Sequence, residues 1–148
     1  MAKIRKSIII SLFSVIFLML GFKVFVSSIR NQRTCEWANI DNIELHAHVD
    51  IPKVKNWDCD YTKELNTKKA HFTIDERNFD MSRYVQRNNL KKLNSFTELS
   101  FDNFLNFSKD SISNSDLYYK NRLKDGESSS VLLDKRTGKL WVTIKYKD

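Results

Sequence analysis

Glycine and proline are scarce: the 148 residues hold three glycines and one proline. Only Gly126 and Gly138 lie beyond residue 21, and Pro52 stands alone. A loop that cradles a phosphate on successive backbone N–H groups needs several glycines, so nucleotide-binding loops of that kind are excluded. The same shortage argues against long flexible linkers and low-complexity tails. No serine stands in a glycine-flanked elbow and no Ser-x-x-Lys occurs, so the usual signs of a serine nucleophile are missing. Paired carboxylates such as Asp58 with Asp60, or Asp75 with Glu76, have no distinctive setting and read as solvated or capping groups. No mutually supporting acid, base and nucleophile emerges, and no catalytic residue is expected.

Cysteine is equally sparse. Cys35 and Cys59 are the only two, with no Cys-x-x-Cys to suggest a zinc site. In an oxidising compartment they are expected to form one disulfide, worth roughly 3–4 kcal/mol on the loop-entropy model. The formal charge is +7, which invites a nucleic-acid reading. However, Lys3, Arg5, Lys6, Lys23 and Arg30 flank or punctuate the N-terminal apolar run. Residues 31–148 then hold 20 Lys and Arg against 18 Asp and Glu, a near balance. With no basic block and no RNA-binding aromatic signature, nucleic acid is not expected as a partner.

What the chain does have is one long apolar run. Ile8 to Val26 is 19 residues with a single charge, Lys23. At about 1.5 Å per helical residue it measures roughly 28 Å, against ~30 Å for a bilayer's hydrocarbon core. Lys3, Arg5 and Lys6 place its N-terminus on the cytoplasmic side. The expectation is a cytoplasmic tail over residues 1–7, a transmembrane anchor over 8–26, a connector over 27–42 and an exported domain over 43–148. The competing reading is a cleaved leader, with Ile8–Phe22 as its apolar region and Val26-Ser27-Ser28 as the processing site. The Lys-, Asn-, Ile- and Ser-rich composition reads as bacterial. The protein is therefore expected to sit at the inner membrane, with its C-terminal domain in the periplasm.

Within the exported part, Ile43 to Ile51 alternates apolar and polar residues, which predicts a strand ended by Pro52. Trp37 in the connector is expected to pack near the interface or on the domain. Trp57–Lys68 reads as a segment carrying Cys59, with a short helix after Asp60. Lys69–Glu76 predicts a second strand with Ala70, Phe72 and Ile74 inward. Asp80 looks like an N-cap for a helix to Asn88, with Phe79 stapled on Tyr84. A further helix is expected over Ser100–Lys109, while Leu90–Leu99 stays undecided between strand and loop. Leu117–Leu123, Ser129–Asp134 and Lys139–Lys147 form a meander turned at Asp125-Gly126 and at Asp134–Gly138. The fold class is thus α+β: an N-terminal transmembrane helix, then a small antiparallel sheet of about five strands with two short helices on one face. The other face is expected to be wet.

Two groups of residues stand out. Alternation puts His46, His48 and Asp50 on one strand face, and a neighbouring strand would add His71. These histidines are the candidate ligands for zinc or copper; otherwise no cofactor is expected. Trp141, flanked by Lys139 and Lys145 and extended by Tyr118, is the candidate partner-binding patch, since tryptophan is enriched at binding hot spots. The function expected is a membrane-anchored, protein-binding domain without catalysis. The alternatives are a metal- or small-ligand-binding envelope protein and an accessory subunit of a membrane complex. The general layout resembles that of small periplasmic immunity or inhibitor proteins that neutralise envelope-targeting toxins.

Overall fold

The computed structural model describes residues 2–30, 33–35, 39–77, 79–95, 99–108 and 116–147. The chain divides into two units, Met1–Gln32 and Arg33–Asp148. The first is helix α1, Ala2–Arg30. Its described apolar side chains, from Phe13 to Val26, are all exposed. Among the described residues no helix is long and apolar enough to cross a membrane. The transmembrane helix expected over residues 8–26 is corrected on this ground.

The second unit is built on a six-stranded antiparallel sheet. Its strands are β1 (Val54–Thr62), β2 (Thr67–Ile74), β3 (Lys91–Lys92), β4 (Leu117–Lys124), β5 (Glu127–Asp134) and β6 (Lys139–Lys145). Their order is β1-β2-β6-β5-β4-β3, so the last strand in sequence lies in the middle. Helices α2 (Asn39–Ala47) and α3 (Met81–Arg87) belong to the same unit.

The meander follows the turn chemistry. Asp125 and Gly126 have φ of 55° and 83°, the pair of positive values that a two-residue type I′ hairpin needs. At the β5–β6 turn, Asp134 accepts from the Arg136 amide at 3.0 Å and from the Thr137 hydroxyl at 2.7 Å. Gly138 closes that turn at φ 65°, and a Cβ there would lie 2.5 Å from a Glu76 oxygen. The positive φ favours glycine there, and any side chain would also have to displace Glu76.

Helix α3 starts as its sequence predicts. The Asp80 side chain accepts from the backbone amides of Ser82 and Arg83, both at 3.0 Å, and the Phe79 and Tyr84 rings lie 5.4 Å apart. Elsewhere local pattern and structure part. The strand expected at Ile43–Ile51 is instead helix α2 followed by an extended exit. Ile40, Ile43 and Ala47 fall at i, i+3 and i+7, one face of a helix, and Ile43 and Ala47 are completely buried. Leu45, inward on the strand reading, is 45% exposed. Asp41 sits at the positive end of the helix and His48, at φ 50°, turns the chain out of it. The segment expected to hold a helix after Asp60 is strand β1 and its turn into β2. The helix expected over Ser100–Lys109 is a 3-10 turn at Phe101–Asn103, and residues 109–115 lie outside the description, as does Trp37.

Each sheet face carries a buried cluster. On one, α2 and α3 pack Ile43, Ala47 and Tyr84 onto Phe72, Ile74, Val131, Leu133, Leu140 and Ile144. On the other, Phe101 and Phe104 cover Leu117, Leu132 and Trp141. The face expected to be wet is covered at its centre and wet at its β1 end: Leu132 is fully buried there, as its neighbour Leu133 is on the helix side, whereas Asn56, Asp58 and Asp60 are exposed. Cys35 and Cys59 form a disulfide, with Cα atoms 5.8 Å apart, and this bond fastens β1.

Candidate functional site

The polar centre of the fold is a lysine in a core position. Lys68 shares a side of β2 with Ala70 and Phe72, beneath α2, and is 1% exposed. Its ammonium donates to Asn42 Oδ1 at 2.8 Å, and the Tyr146 hydroxyl donates to the same oxygen at 3.1 Å. Around the Tyr146 ring gather the Lys68 ammonium at 5.9 Å, the Arg33 guanidinium at 5.4 Å and the His46 ring, edge-on at 5.0 Å. His46 Nδ1 lies 2.8 Å from both carboxylate oxygens of Glu127. Asn66 gathers a second knot: it accepts from Tyr61 and Arg33 at 2.9 and 3.2 Å, and donates to the Lys147 carbonyl at 3.1 Å.

Burial pushes Lys68 down to about 8 and the Tyr146 hydroxyl up. Such shifts often mark catalytic groups, but structural networks produce them too. Lys68 and Asn42 are sealed from solvent, so the network holds α2, β2 and the chain after β6 together without offering an atom to a substrate. Asp75 is held down at about 2 chiefly by Arg77, which grips its two oxygens at 2.9 and 2.8 Å.

The three histidines have separate surroundings. His46 belongs to the network on the helix side. His48 stands at the helix exit, where its carbonyl accepts from Lys120 at 2.6 Å. Burial and the nearby Arg122, Lys120 and Lys124 lower its pKa. His71 lies on the opposite sheet face, stacked on Trp141 at 5.2 Å. Its pKa is lowered by burial and by Lys139. Asp50 pairs with Arg87. Among the described residues no group of three or more His, Cys, Asp and Glu is placed to hold a metal.

Trp141, Lys139 and Lys145 do share one side of β6. Trp141 is 3% exposed, covered by Phe107 with ring centroids 5.3 Å apart. Tyr118 lies on the other face, against the helix-side core, with Lys135 over its ring at 5.9 Å. The indole Nε1 and His71 Nε2 are buried with no partner among the described residues. A shallow, open groove of about 650 Å³ runs between α2 and the end of α3, lined by Asp41, Glu44, His48, Asp50 and Arg87.

The two edges of the sheet complete the inventory. On one side β3 pairs only with Tyr118 and Tyr119 of β4, and the strand continues as Lys120, Arg122 and Lys124 on its helix side. On the other side β1 pairs inward with β2 from Val54 to Thr62, with one bulge between Val54 and Asn56. Among the described residues nothing pairs with its outer edge. Trp57, Cys59 and Tyr61 lie on its helix side, and Trp57 stacks on Phe72 at 5.8 Å. Asn56, Asp58 and Asp60 lie on the other side and are exposed. Sequence reasoning missed this edge, because edge status is a property of long-range pairing. The alternation of Lys120, Arg122 and Lys124, by contrast, was present in a strand that the pattern identifies. No protein-family model, curated protein or solved structure matches the chain.

Proposed function

We propose that this chain is a non-enzymatic, protein-binding module of an oxidising, extracytoplasmic compartment, engaging its partner by strand addition at an open edge of the sheet. The observation that carries the reading is the outer edge of β1: a nine-residue strand, paired among the described residues on one side only and pinned by the Cys35–Cys59 disulfide. An unpaired edge is a row of backbone donors and acceptors ready for another chain. The disulfide supports the compartment, since such bonds persist where thiols are not kept reduced. An inhibitor-type role fits a small rigid domain that acts by occupying a partner's surface. Export is supplied by the leader reading: Lys3, Arg5 and Lys6 ahead of the apolar Ile8–Phe22, with processing near Val26-Ser27-Ser28.

Site-specific photocrosslinking in intact cells tests the binding reading. A crosslinker at Lys55 on β1 or Lys124 on β4 is expected to trap one stoichiometric partner, and one at exposed Arg83 on α3 is not. Equal trapping at all three positions, or none at either edge, removes the reading. Mass spectrometry of the mature N-terminus and alkylation of Cys35 and Cys59 in unbroken cells test the location. Thiols that alkylate fully without a reductant contradict it.

A further inference from the structure

The two edges differ in what they ask of a partner, and this inference rests on the binding reading above. The β4 edge is occupied at its start by β3, and the lysines that continue it are a common way to discourage pairing. The β1 edge is in regular register from Asn56 to Thr62, and among the described residues no strand pairs with its outer side. Its exposed side carries two carboxylates at period two, Asp58 and Asp60. Across from them on β2 stand His71 and Lys69. Burial and Lys139 lower the pKa of His71, and Lys69 stands directly across the ladder from Asp60. The helix side of β1 offers Trp57, 36% exposed, and the half-buried Tyr61.

A second copy of the chain is a poor occupant. Antiparallel pairing of two β1 strands about their centres brings Asp58 and Asp60 of one copy against those of the other, and like charges facing across a ladder repel. A strand with cations at those two positions meets the opposite situation.

We propose that the outer edge of β1 docks an extended segment of a partner protein in which Lys or Arg alternates with apolar residues. The segment adds as a further strand beside Asn56–Thr62. Its cations face Asp58 and Asp60, and its apolar side chains lie against Trp57 and Tyr61. Backbone hydrogen bonds supply the affinity and the alternating side chains set the register. The disulfide at Cys59 keeps the template strand from fraying at its middle.

The test uses the full chain, dispersed in mild detergent because α1 exposes apolar side chains. A short labelled peptide alternating valine and arginine is titrated and followed by fluorescence anisotropy and hydrogen exchange. Saturable binding with new amide protection confined to residues 54–62 is expected. Asp58→Asn with Asp60→Asn, both at exposed positions, is expected to weaken binding by about ten-fold. The same peptide N-methylated on its backbone is expected to lose binding, and a valine–glutamate peptide is expected not to bind. Equal binding of the N-methylated peptide, protection on β4 in place of β1, or no difference between the arginine and glutamate peptides overturns the assignment. If the peptide fails while the Lys124 crosslink traps a partner, this assignment falls and the binding reading stands. If no edge position traps a partner, the reading itself falls.

Discussion

Both faces of the sheet carry a buried cluster, yet the two are buried by different means. The helix side buries a broad aliphatic layer into which one polar network is set, with Lys68, Asn42 and Tyr146 satisfying one another. The far side is a small aromatic cluster beneath a short 3-10 turn, and two ring nitrogens in it are left without partners among the described residues. A polar group is buried cheaply only where the element packed on it brings a partner within hydrogen-bond reach. Helix α2 does so by delivering Asn42 and His46, whereas the Phe101–Asn103 turn delivers apolar packing and the Asn103 carbonyl, which accepts from the Thr143 hydroxyl at 2.8 Å.

The sharpest way to probe this contrast is to truncate the neighbours Leu132 and Leu133, both fully buried on β5. Leu133→Ala, on the large core, is expected to cost about 3–4 kcal/mol, and Leu132→Ala, whose small cluster can collapse, about 2–3 kcal/mol. Urea unfolding of the two variants measures the difference, and the reverse order breaks the comparison.

The network gives the next largest effect. Burial holds Lys68 at about 8, below its ordinary value of 10.5. Between those values the unfolded chain binds a proton that the folded chain does not, so stability rises with pH from about 8 towards 10. A shift of that size corresponds to roughly 3 kcal/mol. Tyr84 and Tyr146, pushed up by burial, hold their protons in the fold and turn stability down above pH 10. Unfolding curves at pH 7, 8, 9 and 10 are expected to show the climb in the parent chain and to lose it in Lys68→Met. An unchanged slope in that variant removes the assignment.

Two smaller effects complete the set. Asp80→Ala, which strips the cap that orients α3 on the helix side, is expected to cost about 1 kcal/mol by thermal or urea unfolding. Trp141→Phe keeps a ring in the far cluster and deletes a buried donor with no described partner. The relief offsets the lost area, and the expected change is under about 1 kcal/mol. A loss beyond about 2 kcal/mol shows that the indole N–H is bonded.

Where local chemistry decides, the sequence was readable. Asp125-Gly126, Gly138 and Asp80 impose their turns and cap whatever surrounds them, and the meander and α3 stand as their patterns predict. Ile43 to Ile51 shows the limit. Its apolar residues satisfy a period of two and also, through Ile40, Ile43 and Ala47, the spacing of a helix face, and only packing on the sheet decides between them. The covered far face left a trace in the unbroken Val131-Leu132-Leu133 run, which signals burial on both sides. Lys68 left none, since nothing in Thr67-Lys68-Lys69 marks which lysine the sheet buries. The β1 edge was hidden for a related reason: Asp58 and Asp60 become a row only once the segment is a strand and its outer side is left unpaired.

Residues 139–145 occupy the middle of the sheet, between a hairpin made early in the chain and a strand made late. Until they arrive, residues 54–74 and residues 117–134 are two separate hairpins with no shared ladder. The ladder of the sheet is therefore completed only when this one strand pairs with both neighbours, and its removal would leave two hairpins in place of a sheet.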